Sequence, residues 1–115
     1  MQFRDLRKQY EVLKEDIDEK MKNVCVSAQY VSGPAVTELE KELASYVGVK
    51  HCITCANGTD ALTLAIKAWG LGHGDVVFVP DFTFFSSGEC PANEDCTCVF
   101  VDVDKKTYNI DTVKL

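Results

Sequence analysis

The sequence predicts an α/β fold with a mainly parallel sheet. Short apolar segments of strand length alternate with longer segments whose apolar residues recur at helical spacing. Turn residues separate these segments, and the 115-residue composition, 46% hydrophobic and 26% charged, is typical of one globular domain with a buried core. Because strands joined through helices run parallel by right-handed crossovers, this alternation indicates an α/β layer with parallel strands.

Two amphipathic helices are expected in the first half of the chain. The first has apolar residues at spacings of four and three, which would line one face: Leu6, Tyr10, Leu13, Ile17, Met21 and Val24. The second is expected over residues 34–46, with Pro34 at its first position and Gly48 just past its end. A loop should join them.

Three strands and a third helix are expected in the second half. Residues 51–56, 76–79 and 98–104 are short and apolar, as buried strands are. Residues 60–69 have the alanine and leucine content of a helix. Between the last two strands, "PDFTFFSSGECPANED" predicts a loop with at most a short helix, because it contains a proline and several acids.

The last residues predict a chain that stops inside a larger domain. Asp111 is a plausible N-cap, yet only four residues follow it, so a helix would barely begin there.

The charge pattern argues against nucleic acid or an anionic membrane as a partner. The formal net charge is −6, and both partners require a concentrated basic face. No apolar run is long enough to span a bilayer, and the start "MQFRDLRKQY" lacks the apolar centre of a signal peptide. A cytoplasmic protein is therefore expected.

The octet "CANGTDAL", residues 55–62, is the main candidate for a binding site. It lies between a predicted strand and a predicted helix, where free backbone N–H groups and the helix dipole favour a phosphate. Gly58 would allow close approach of a ligand, and Thr59 would add a hydroxyl donor. By itself the octet favours the simpler alternative, in which Thr59 caps the helix and Asn-Gly is an ordinary turn.

Other nucleotide motifs do not fit. The chain has no Walker loop, and "GLGHG", residues 70–74, follows a helix and precedes a strand, which is the wrong order for a dinucleotide fingerprint.

The cysteines are the main competing signal, and six is a large number for a cytoplasmic protein: Cys25, Cys52, Cys55, Cys90, Cys96 and Cys98. Four of them, at 52, 55, 96 and 98, could supply a zinc site. However, the first pair has an odd offset on a predicted strand, which sends its side chains to opposite faces. Reduced, incidental thiols are expected, and neither His51 nor His73 is interpreted as a ligand.

Four blocks occur together in one register: "GPAVTELE", "ANGTDAL", "GDVVFVPDFTF" and "VDVDKKTYNID". In this combination the chain resembles the N-terminal part of the DegT/DnrJ/EryC1/StrS sugar aminotransferases, which are fold-type-I pyridoxal-phosphate enzymes. The resemblance implies part of a large domain with three layers around a mainly parallel sheet. Residues 1–33 would form an N-terminal helix and interface loop, and residues 34–115 a truncated α/β core.

The resemblance also implies site residues and a cofactor, pyridoxal 5'-phosphate. The turn at Gly58 and Thr59 would hold the cofactor phosphate, and Phe84 would stack on the pyridine ring. Phe82 and Phe85 are alternatives to Phe84 if the register shifts by one or two residues. No metal is expected.

The implied reaction moves an amino group from an amino acid, with glutamate as the expected donor, to a nucleotide-linked keto sugar in a homodimer. The family's Schiff-base lysine lies downstream of any segment matched here, so no catalytic residue is assigned to the available lysines: Lys67, Lys105, Lys106 and Lys114. The chain alone is expected to be inactive. The alternatives are a non-catalytic phosphate-binding fragment and a cysteine-based metal or redox module.

Overall fold

The structure is a computed structural model that describes residues 3–115. In this part of the chain it has four helices and two strands, in the order α1 (Leu6–Ser27), α2 (Pro34–Val47), α3 (Gly58–Trp69), β1 (Val76–Pro80), α4 (Ser86–Asn93) and β2 (Thr97–Val101). The chain divides into two compact units, Met1–Thr54 and Cys55–Leu115. Each unit is described by itself.

Helix α1 of the first unit begins and ends at well-defined caps. The Asp5 carboxylate accepts a hydrogen bond from the Lys8 N–H at 3.1 Å, and the helix ends at Ala28, which adopts a left-handed conformation. None of its residues is buried. The predicted apolar face is only partly covered within the described residues: Ile17 and Val24 are half-buried, whereas Leu6 and Met21 are exposed.

Helix α2 begins at Pro34, as predicted, and ends at Val47, one residue later than predicted. A side chain of α2 also contacts the segment that follows the helix. The Glu40 carboxylate accepts hydrogen bonds from both the backbone N–H and the hydroxyl of Thr54, each at 2.8 Å. One side chain of α2 therefore holds the segment that leads out of the first unit.

The strand predicted over residues 51–56 is not formed, which corrects that expectation. The segment has no regular secondary structure, and Ile53 is 81% exposed. A strand requires a neighbour to pair with its backbone N–H and C=O groups. No strand pairs with this segment in residues 3–115, so the apolar pattern alone is insufficient.

The second unit contains a parallel pair of strands, which confirms the predicted sheet type. Strand β1 pairs with β2 in a register that runs from Val76 opposite Thr97 to Pro80 opposite Val101. Helix α4 connects the two strands along the chain and packs on both. This is the strand, helix, strand order that a parallel pair requires.

Strand β2 ends at Val101, earlier than the predicted limit at residue 104. Val103 forms an isolated antiparallel bridge with Ile110. The Asp104 carboxylate then accepts hydrogen bonds from the backbone N–H groups of Lys106 and Thr107. A local turn of this kind competes with strand pairing and ends the strand.

Helix α4 forms despite an internal proline at position 91. Its eight residues agree with the prediction of at most a short helix. It supplies much of the buried centre of the second unit, which includes Val79 and Val101 from the strands and Cys90 and Pro91 from the helix. Helix α3 also packs on α4.

The end of the chain differs from its prediction. No helix follows Asp111 in the described residues; its carboxylate accepts from the Val113 N–H at 3.0 Å and forms a turn instead. None of the described helices is both long enough and apolar enough to cross a membrane.

Candidate functional site

Helix α3 begins at Gly58, two residues earlier than predicted, and Asn57 is its N-cap. The Asn57 side-chain oxygen accepts a hydrogen bond from the Asp60 N–H at 2.9 Å, and its backbone C=O accepts from the Ala61 N–H at 3.2 Å. The structure therefore corrects the alternative in which Thr59 caps the helix. The signal was available in the sequence, since Asn is a preferred N-cap residue.

The cap leaves three donors without a partner at the start of α3. Within residues 3–115, neither the backbone N–H of Gly58 or Thr59 nor the Thr59 hydroxyl makes a hydrogen bond to protein. A Cβ built on Gly58 has no atom within 4 Å, so the space beside this backbone is open. Three unused donors at a helix N-terminus, with open space beside Gly58, fit a phosphate group.

One feature of this turn opposes an anion. Asp60 places a carboxylate in the first turn of α3. That carboxylate accepts a hydrogen bond from the Asn57 side-chain NH₂ at 3.2 Å, which directs it toward the cap.

A buried thiol connects this turn to α4. The Sγ of Cys90, which is fully buried, donates a hydrogen bond to the Thr59 C=O at 3.4 Å. The sequence contains no signal for this contact, because it joins residues 31 positions apart.

The predicted stacking residue, Phe84, lies in the loop between β1 and α4 and is 76% exposed. The two alternative stacking residues, Phe82 and Phe85, have different surroundings. The Phe82 ring packs against Tyr108 with centroids 5.5 Å apart, whereas Phe85 is the N-cap residue of α4. Phe82 is thus already in an aromatic pair, which leaves the rings of Phe84 and Phe85 more accessible to a ligand.

Phe84 and Phe85 line an apolar cleft of about 380 Å³. Gly88 and Ala92 contribute one face of α4 to this cleft. Cys90, two residues from each, lies about 160° around the helix axis from them. The cleft therefore lies on a different side of α4 from the contact with Thr59, and Gly58 and Thr59 do not line it.

Two of the lysines named above form ion pairs with carboxylates. Lys67 forms an ion pair with Glu94 at 2.8 Å. Lys114 pairs with Asp102, and this hydrogen bond raises the pKa of Lys114 and lowers that of Asp102. Nothing in these contacts assigns a catalytic role to a lysine.

The six cysteines are all free thiols, and residues 3–115 contain no group of three or more His, Cys, Asp or Glu side chains placed to hold a metal. Several thiols instead donate to a backbone C=O, as Cys98 does to Gly88 at 3.2 Å. Burial raises the pKa of the Cys96 thiol. Cys52 and Cys55 do not lie on a strand, so their spacing does not send their side chains to opposite faces.

Comparisons with known proteins cover almost the whole chain. The chain is 46% identical over 111 residues to the UDP-2-acetamido-2-deoxy-3-oxo-D-glucuronate aminotransferase of Pseudomonas aeruginosa, with 96% of this chain and 31% of that protein aligned. It therefore spans about a third of the length of this relative.

Solved structures of aminotransferases superpose on this chain as well. A DegT DnrJ EryC1 StrS aminotransferase from Brucella abortus superposes with a TM-score of 0.92 at 43% identity, over 96% of this chain and 30% of that one. NtdA from Bacillus subtilis, solved with bound cofactor PMP, superposes with a TM-score of 0.82 at 30% identity, over 88% and 23% of the two chains. The fold is thus that of part of a PLP-dependent aminotransferase, as the sequence predicted.

Residues 11–115 match the DegT/DnrJ/EryC1/StrS aminotransferase family. This match includes both the capped start of α3 and the aromatic loop before α4. The chain belongs to the DegT/DnrJ/EryC1/StrS aminotransferase family.

Proposed function

We propose that this chain forms the phosphate-binding and ring-stacking part of a pyridoxal-phosphate-dependent sugar aminotransferase. The observation that carries the proposal is the start of α3, where Gly58 and Thr59 present three donors that no described protein group uses. In a chain of this family, donors in this position suit the phosphate of pyridoxal 5'-phosphate.

Each residue has a defined task in this proposal. The N–H groups of Gly58 and Thr59 and the Thr59 hydroxyl donate to phosphate oxygens, and the positive end of the α3 dipole favours the dianion. Phe84 offers an exposed ring for stacking on the pyridine. Pyridoxal phosphate, when bound, supplies the electron sink that amino transfer requires.

The proposed reaction moves an amino group from an amino acid, glutamate, to a nucleotide-linked keto sugar. The name of the Pseudomonas relative, an aminotransferase of a UDP-linked oxo sugar, supports this substrate class. We further propose a cytoplasmic homodimer, with residues 1–33 near the subunit interface. The chain by itself should not transaminate, because none of its lysines corresponds to the family's Schiff-base lysine.

Binding of pyridoxamine 5'-phosphate tests the phosphate site directly. This probe has no aldehyde and so does not react with surface lysines, and pyridoxamine is the matched compound without the phosphate. We expect the 115-residue chain to bind the phosphorylated compound more tightly in calorimetry. Thr59→Val should reduce this preference about 10- to 150-fold, since it removes one donor to a charged group.

The matched control is Thr63→Val, the same substitution one turn further along α3. It should leave the preference unchanged. Equal affinity of the wild-type chain for the two compounds would contradict the phosphate site. Turnover of keto-sugar nucleotide by the isolated chain would contradict the proposed inactivity.

A further inference from the structure

We propose that Cys90 is a positioning residue for the phosphate-binding turn of α3. This inference rests on the proposed function and adds a residue that neither the sequence pattern nor the comparisons single out. It concerns the orientation of Thr59, whose N–H and hydroxyl are two of the three free donors.

The peptide unit between Thr59 and Asp60 is held at both of its polar groups. The Cys90 Sγ donates to its C=O at 3.4 Å, and the Asn57 side-chain oxygen accepts from its N–H at 2.9 Å. Because a peptide unit is planar, two contacts on opposite sides fix its rotation about the chain direction. The backbone on the C-terminal side of Thr59 is then restrained, which limits how far the Thr59 N–H and hydroxyl can move.

This restraint matters because the first turn of a helix is otherwise weakly held. The first N–H groups of a helix have no partner in the helix itself, and helix ends fray. Cys90 is fully buried and belongs to α4, which packs against both α3 and the sheet. The thiol therefore ties the exposed start of α3 to a buried residue of α4.

The same helix connects the turn to the aromatic loop. Phe85 is the N-cap residue of α4, and Phe84 immediately precedes it. From Phe85 to Cys90 the helix rises roughly 7.5 Å, at 1.5 Å per residue. Helix α4 thus relates the position of Phe84 to that of Thr59 through one short, rigid element.

Substitution of Cys90 separates positioning from simple core packing. In Cys90→Ala the thiol donor is lost, whereas Cys90→Ser retains a donor in nearly the same place. The matched control is Cys96→Ala, which deletes another buried thiol, one that donates to the C=O of Glu94 and does not line the cleft at Phe84. All three variants are compared with the wild-type chain by thermal unfolding.

The readout is the ratio of affinities for pyridoxamine 5'-phosphate and pyridoxamine. We expect Cys90→Ala to lower this ratio about 3- to 10-fold, as expected for one hydrogen bond. Cys90→Ser should retain most of the wild-type ratio, and Cys96→Ala should retain all of it. Amide exchange at Asp60 should also be faster in Cys90→Ala than in the wild type.

Three results would overturn the inference, and the first two differ in what they imply for the proposed phosphate site. If the wild type prefers the phosphorylated compound and both Cys90 variants keep the same ratio, the phosphate site stands and Cys90 has no positioning role. If the wild type shows no preference, the phosphate site itself is wrong. If Cys90→Ala does not fold, the test rests on Cys90→Ser. An affinity ratio in Cys90→Ser as low as that in Thr59→Val would contradict the inference, because this variant retains a hydrogen-bond donor.

Discussion

Gly33 and Gly58 differ in how much space the fold leaves for a side chain. A Cβ built on Gly33 lies 2.2 Å from the backbone oxygen of Gln29, whereas a Cβ built on Gly58 meets nothing within 4 Å. The fold itself therefore requires glycine at position 33. At position 58 the described residues impose no such requirement, which is consistent with a glycine retained for close approach of a ligand.

Gly33→Ala should destabilise the first unit. The new methyl group would overlap a backbone oxygen, which cannot move as a side chain can, so we expect a loss of roughly 1–3 kcal/mol in the free energy of unfolding. Urea denaturation followed by circular dichroism measures this loss. Gly58→Ala is the control and should unfold at the wild-type midpoint; equal midpoints for Gly33→Ala and the wild type would refute the steric argument.

At the scale of elements, one carboxylate links helix α2 to the segment that follows it. Glu40 accepts two hydrogen bonds from Thr54, and the backbone hydrogen bond is the main reason that the pKa of Glu40 lies below its ordinary value of 4.5. A carboxyl group whose pKa is lower in the folded state stabilises that state above its unfolded pKa. This contribution is lost as the pH falls through the folded pKa.

A pH titration followed by NMR tests this contact. The Glu40 carboxyl should titrate below 4.5, and the Thr54 amide signal should shift with the same midpoint. In Glu40→Gln the Thr54 signal should no longer respond to acid. Glu42→Gln, on the same helix, should leave the response intact, and a Glu40 midpoint at or above 4.5 would show that the contact is absent in solution.

At the scale of the whole molecule, one face of the sheet is uncovered over part of its length in the described residues, although Val101 at its end is buried. Helix α4 lies over the face that carries Cys98, so Phe78 and Val99, which pair across the two strands, point to the other face. They are 47% and 38% exposed. Parallel sheets normally have both faces covered, so this face favours contact with further protein.

We therefore expect the 115-residue chain to self-associate as its concentration rises. The Phe78→Thr, Val99→Thr double variant should shift the association to higher concentration, because it removes apolar area from the uncovered face and retains residues that suit strands. Analytical ultracentrifugation measures the shift. Val12→Thr, at an exposed apolar position on α1, is the control. A wild-type chain that stays monomeric and unfolds in a sharp cooperative transition would contradict this expectation.

Much of the element order followed from local signals. The starts of α1 and α2 depend on Asp5 and Pro34, residues that act through their own caps and dihedral angles, and the parallel pair followed from a strand, helix, strand pattern. The failure at residues 51–56 has the opposite cause. An apolar run specifies that a segment can be a strand, but pairing requires a partner that the described residues do not provide.

The sequence by itself determined the family, the sheet type and the candidate turn at Gly58 and Thr59, because these depend on residues close together along the chain. The Asn57 cap of α3 is local as well, since it joins residues three positions apart. Only the tertiary structure decided that the buried thiol of Cys90 holds the Thr59 C=O. The physical reason is that this thiol contact depends on distances of a few ångströms between residues far apart along the chain. Those distances are set only when α3, α4 and the sheet pack together.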